Sequence, residues 1–149
     1  MSLKQIIDKD IKNAMLARNK EELEALRSIK SLILLAETDK TINEVTSDVE
    51  NKLLMKAAKQ RKESAEIFTQ QSRKDLAEKE LFQLEVINRY LPKQLSAEEL
   101  TAELKSVIEQ VGAKGPQDMG KVMGAATKKL SGLADGKVIS ELAKQLLIS

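Results

Sequence analysis

Apolar residues recur along this chain at i, i+3, i+4 and i+7, the spacing of one face of a helix. Nowhere do they alternate with the period of two that a half-buried strand requires. Met119, Val122, Met123 and Ala126 show the pattern in its shortest form, and Leu26, Ile29, Ile33 and Ala36 carry it over a longer stretch. No β-rich run is bounded by hairpin turns. The fold expected is therefore all-α. Aromatic residues make up only 2% of the chain, so its core must come from Leu, Ile, Val, Ala and Met. Several of these are also good helix formers.

The punctuation of the helices follows from caps and breakers. A first helix over 3–17 places Leu3, Ile7, Ala14 and Ala17 on one stripe, with Asp10 set among them. A second runs from Lys20 to Glu37, and the polar stretch 38–47 is a loop. Thr46 or Ser47 caps a long helix over 47–71, with Glu50 three residues after Ser47 in a capping-box pattern. Asp75 is the expected cap of a helix that turns Leu76, Leu81, Leu84 and Ile87 inward and ends at Tyr90. Pro92 stops it, because proline disfavours helical geometry in the residue before it. This divides the chain into an N-terminal helical domain, 1–92, and a small C-terminal three-helix bundle, 93–149. Within the bundle, Ser96 and Glu99 form another capping box over a helix at 97–111, which Gly112 ends. Pro116 opens the next helix and Gly132 ends it; Asp118 and Asp135 stand at helix starts, where capping explains a carboxylate.

The chain has no cysteine and no histidine, which removes disulfides, thiolate and imidazole catalysis and nearly every zinc site. No serine has a partner to activate it, and carboxylate spacing of the calcium-loop kind is missing. No catalytic residue, metal site or cofactor is expected. No apolar run is long enough for a membrane span, and Met1 leads into an amphipathic pattern rather than a signal peptide. The expectation is a cytoplasmic protein with no membrane partner. A formal net charge of +2 does not by itself argue for a nucleic-acid partner, and none is expected in DNA.

The stretch GPQDMGKV, 115–122, nearly spells a phosphate-binding loop: Gly115, Gly120 and Lys121 are in place, but Val122 stands where a hydroxyl should be. The preceding LKSVIEQVGAK reads as a helix rather than the strand such a loop follows. Pro116 also removes one of the N–H groups on which such a loop depends. Gly120 and Gly124 instead share one helix face. Each costs the helix roughly 1 kcal/mol relative to alanine. A missing side chain lets another backbone come close, either a neighbouring helix or a ligand. Between 112 and 140, Lys114, Lys121, Lys128, Lys129 and Lys137 face only two acids, Asp118 and Asp135. Such a surface, without aromatic residues for stacking, suits phosphate backbones and shape rather than unpaired bases.

A second basic face lies on the third helix, with Lys52, Lys56 and Lys59 on one outward stripe and Lys62 beside them. Arg61 falls among inward residues (Leu54, Ala57, Ala58, Ala65 and Phe68) and must be paired, because an unpaired buried charge is costly. Asp10, Glu80 and Glu85 are the candidate partners in a structural ion pair.

Six stretches carry a resemblance when taken in order: LRSIKS (26–31), KQRKESAEIF (59–68), RKDLAEKE (73–80), YLPKQLS (90–96), DMGKVMGA (118–125) and GLADGKVI (132–139). Together they resemble the YqeY-like proteins of bacteria, which share a motif domain with the C-terminal tail of the B subunit of tRNA-dependent amidotransferase. The resemblance covers essentially the whole chain. It implies an all-helical fold in two subdomains and tRNA as a partner, with an amidotransferase or aminoacyl-tRNA synthetase as a further one. Gly120, Lys121, Gly124 and Lys137 are the positions it implies for RNA contact, with Lys114, Lys128 and Lys129 adding charge. The family association is with carbon–nitrogen ligase activity using glutamine as amido-N donor. That chemistry belongs to a catalytic region and a separate amidase subunit for which this chain has no room. The order of readings is a non-catalytic tRNA-interaction protein first, a helical protein–protein adaptor second, and an amidotransferase component with activity of its own last.

Overall fold

The structure, a computed structural model, describes residues 1–148. Its described residues form helices α1 (Leu3–Leu16), α2 (Lys20–Thr38), α3 (Ser47–Gln70), α4 (Lys74–Asn88) and α5 (Ala97–Val111), a 3₁₀ turn (Pro116–Asp118), then α6 (Met119–Lys129) and α7 (Gly136–Ile148). No strand occurs among them, and the all-α expectation holds. The chain divides into two compact units, Met1–Leu91 and Pro92 onward.

In the first unit α1 packs on α2 and α3 on α4, and α4 also packs on α2. The stripes meet in one core: Ile7, Leu26, Ile29, Leu54 and Val86 are almost wholly buried. Burying a side chain of this size contributes about 1.5–3 kcal/mol. Charge pairs fasten the outside, with Lys30 to Asp8 and Lys4 to Glu37 joining α1 and α2. Exposed pairs of this kind contribute about 0–1 kcal/mol each.

Four expectations are corrected here. Ala17 lies past the end of α1 as its exposed C-cap. The cap of α3 is Thr46, whose hydroxyl accepts from the Val49 N–H at 3.3 Å, so the box read at Ser47 and Glu50 does not form. Asp75 is inside the first turn of α4 and pairs with Arg73 at 3.5 Å rather than capping. Leu81 is 49% exposed. At 3.6 residues per turn it sits roughly 120° from Ile87, whereas Gln83, four residues before Ile87, takes the inward place and is buried.

The two elements of charge that fell within apolar stripes find different partners. Arg61 Nη1 lies 3.0 Å from Glu80 Oε2, joining α3 to α4. Asp10 is not its partner: Asp10 accepts the hydroxyl proton of Tyr90, while Glu85 faces Arg89 one turn along α4. An arginine and a carboxylate on adjacent antiparallel helices reach each other with less reorganisation than a pair drawn from α3 and α1. Burial, and then the Asp10 carboxylate, push the Tyr90 phenol well above its ordinary value.

The second unit is a three-helix bundle in which α6 packs on both α5 and α7, and α5 on α7. Leu100, Leu104, Val107, Val122 and Leu130 form its buried centre with Ala143. Ser96 and Glu99 make a complete capping box at the start of α5, and Gly112 ends that helix at φ 67°. The segment before α5 is held by backbone groups, with the Leu95 N–H donating to Leu133 O and Gln94 Nε2 donating to Gly132 O at 2.7 Å.

Candidate nucleic-acid interface

Helix α6 has a buried side and a bare side. Val122 and Ala126 are fully buried, with Met119 and Met123 half-buried beside them. Gly120, Lys121, Gly124 and Lys128 all lie on the opposite side and are exposed. At 100° per residue these four fall within an arc of roughly 100°. A Cβ atom placed on Gly120 or Gly124 would meet nothing within 4 Å. The neighbouring-helix explanation of these glycines is therefore overturned. No helix of the bundle approaches them, and the helix backbone is left uncovered on a surface flanked by two lysines.

Lys121 and Lys128 make no ion pair among the described residues, so their ammonium groups are available to an anion. Both lie on the exposed side, and Lys128 sits in the last turn of the helix, where a cation also suits the helix dipole. Lys129 differs from its neighbour. One step of 100° turns it toward α5, where its Nζ lies 3.0 Å from Glu103 Oε2. Its charge is matched within the bundle, and it is removed from the candidate face.

The two remaining lysines stand apart from this strip. Lys114 lies exposed in the loop before the 3₁₀ turn, and Lys137 is the exposed second residue of α7. The two aspartates explain these placements. Asp135 caps α7 as expected, its Oδ1 accepting from the Lys137 N–H at 3.1 Å. Asp118 does not cap α6; its Oδ2 accepts from the Lys114 N–H at 2.9 Å and closes the loop. The 3₁₀ turn, closed by the Asp118 N–H on Gly115 O, brings the carboxylate back to the Lys114 N–H. Its negative charge is thus engaged by the loop. Thr127 escaped the sequence reading. Three residues beyond Gly124 and exposed, it adds a hydroxyl to the same strip, a position that i+3 spacing would have found.

The basic face of α3 belongs to the other unit. Lys52, Lys56, Lys59 and Lys62 are all exposed there, with Lys52 and Lys56 one turn apart. Among the described residues no group of three or more His, Cys, Asp or Glu side chains is placed to hold a metal, and no helix is long and apolar enough to cross a membrane.

A family model described as Yqey-like protein matches residues 4–147. A protein of Pyrenophora tritici-repentis named "Altered inheritance of mitochondria protein 41, mitochondrial" is 32% identical over 143 residues, covering 93% of this chain and 77% of that protein. A protein of the same name from Clavispora lusitaniae is 36% identical over 124 residues, covering 82% and 70% respectively. The chain belongs to the Yqey-like protein family.

Proposed function

From that membership we propose that this chain is a non-catalytic RNA-interaction protein whose partner is tRNA, held on the exposed side of α6. One observation carries the reading: the backbone at Gly120 and Gly124 is uncovered, with nothing within 4 Å of a Cβ placed there, and two exposed lysines flank it. At Gly124, in the helix interior, glycine costs roughly 1 kcal/mol against alanine. Since no intramolecular neighbour uses the vacant space, an external partner that comes close to the helix backbone accounts for it. Lysines at the edges and no aromatic platform fit a phosphate backbone read by shape. The amidotransferase connection enters only through the tail-like sequence, and catalysis is assigned to that enzyme's other parts. The cytoplasmic placement expected from the sequence belongs to this proposal too; the mitochondrial location in the names of the two fungal relatives is theirs.

The test is tRNA binding as a function of salt. Lys121→Glu with Lys128→Glu is expected to weaken binding about tenfold or more at low salt, and the log–log salt slope is expected to flatten by about one per lysine. Gly124→Leu, which adds bulk where nothing in the bundle lies, is expected to weaken binding while leaving the helical circular dichroism intact. Unchanged affinity in the double variant sinks the reading, as does an absence of tRNA binding at low salt.

A further inference from the structure

Two motif stretches that the RNA reading does not use, LRSIKS in α2 and KQRKESAEIF in α3, come together in the first unit. They line a groove of about 610 Å³ between these helices. Ile29, Leu32, Ala57 and Ile87 supply apolar surface to it, and Ser28, Ser31, Gln60 and Ser64 supply small or polar surface; Arg61, held by Glu80, and Glu63 add one charge of each sign. The groove is continuous through Ser28 and Ser31 with a second hollow along α2 that reaches Arg27 and Lys20. We propose that it docks an amphipathic helix of a partner protein, one whose apolar stripe is bordered by acidic residues.

Three features favour this occupant. Serine and alanine along the groove let a third helix approach at the short end of the usual 8–10 Å interaxial range. Large apolar side chains stand exposed along the same strips. Ile67, 52% exposed, lines the groove itself, and Leu35, 67% exposed, follows Ser31 by one turn. Such residues match the i, i+3, i+4, i+7 anchors of a helix laid in a groove. The rims are basic. Lys56 and Lys52 continue the Gln60 strip by successive turns of α3, and Arg27 precedes Ser31 by one turn of α2. None of the three makes an ion pair among the described residues. Glu24, the acid on the α2 side, is matched by Lys79 at 3.5 Å.

The same features argue against the competing occupants. Docking of this face on a second copy would be isologous and would set the lysine rims against each other. RNA would leave Leu35, Ile67 and the apolar floor without suitable partners, as no aromatic residue lines the groove for base stacking. Complementary charge across a helix-in-groove contact also raises the association rate and selects the partner.

The experiment is selection of a displayed library of randomised helical peptides against the full chain, followed by affinity measurement of the enriched peptides. Enrichment of peptides with an apolar stripe and flanking Asp or Glu is expected. Their affinity is expected to fall about tenfold or more both in Ser64→Trp, which fills the groove, and in Lys52→Glu with Lys56→Glu, which reverses one rim. Lys121→Glu with Lys128→Glu, on the other unit, is expected to leave it unchanged. Circular dichroism confirms that each variant folds, and Ser28→Trp stands in if Ser64→Trp does not. The proposal is overturned if no peptide is enriched or if enriched peptides bind the filled groove equally well. It is also overturned if enriched peptides are basic, if Lys52→Glu with Lys56→Glu weakens RNA binding but not peptide binding, or if the chain self-associates through this face in sedimentation.

Discussion

The two units turn their corners differently. Residues 1–91 contain no glycine and no proline; all six glycines and both prolines lie from Pro92 onward. Between α1 and α2 and between α3 and α4, the first unit therefore places ordinary residues in the left-handed region, Arg18 at φ 55° and Ser72 at φ 60°. The second unit uses glycine for the same purpose, Gly112 at φ 67° and Gly132 at φ 77°. A left-handed conformation costs a non-glycine residue roughly 1–2 kcal/mol. The first unit thus shows that this chain can make tight helical corners without glycine. Gly120 and Gly124 are then all the more informative, because they make no corner. Gly124 interrupts the exposed side of a regular helix, where alanine would be the better helix former, and Gly120 lies on the same side in its first turn.

The largest effects that sharpen this comparison come from exchanging the solutions. Gly112→Ala is expected to destabilise the second unit by about 1–2 kcal/mol, since it introduces the strain that glycine avoids. Ser72→Gly is expected to move stability the other way, by about 0.5–1 kcal/mol, after the added freedom of the unfolded chain is counted. Denaturant melts of the two variants check both signs; equal signs would break the comparison. A smaller gain is expected from Gly124→Ala. With nothing within 4 Å of its Cβ, it should raise stability by up to about 1 kcal/mol. A loss in thermal melting would mean that something in the chain packs on that surface after all.

The smallest effect concerns two glutamates near helix starts, one in each unit. Desolvation raises Glu50 from its ordinary value of 4.5. The N–H and hydroxyl of Ser96 lower Glu99 from the same value. The signs are opposite. Glu50 adds stability while protonated, and this is lost as pH rises through its raised folded value. Glu99 adds stability while ionised, and this is lost as pH falls through its lowered one. NMR titration of the side-chain carboxyls is expected to place Glu50 above 4.5 and Glu99 below it. The reverse order would break the contrast between a desolvated glutamate on α3 and a hydrogen-bonded one on α5.

The helices were legible because 3.6-residue spacing is a local property. Leu26, Ile29, Ile33 and Ala36 are all buried as their stripe requires, and the Ser96–Glu99 box forms from residues three apart. Legibility falls where one side chain must choose between partners of similar reach. Asp118 could cap α6 or bond the Lys114 N–H, and the loop geometry that decides lies outside any local pattern. Lys128 and Lys129 are chemically the same. Only the presence of Glu103 on α5 separates an ion-paired lysine from an available one. The glycines were legible as unusual, but whether a neighbour filled the space beside them required the packing of the whole bundle.

Tyr90 is the only tyrosine, and the chain has no tryptophan. Its hydroxyl donates to Asp10 at 2.5 Å, tying the end of the first unit's chain back to α1. Because burial and that carboxylate hold the phenol above its ordinary 10.0, the neutral ring stabilises the fold below pH 10.0, and this contribution fades as alkali overtakes the raised value. The molecule thereby carries its own optical gauge. In buffer held just above pH 10.0, where a released phenol ionises and the folded one does not, ultraviolet absorbance of phenolate would appear only as the first unit opens, with no dye or label attached.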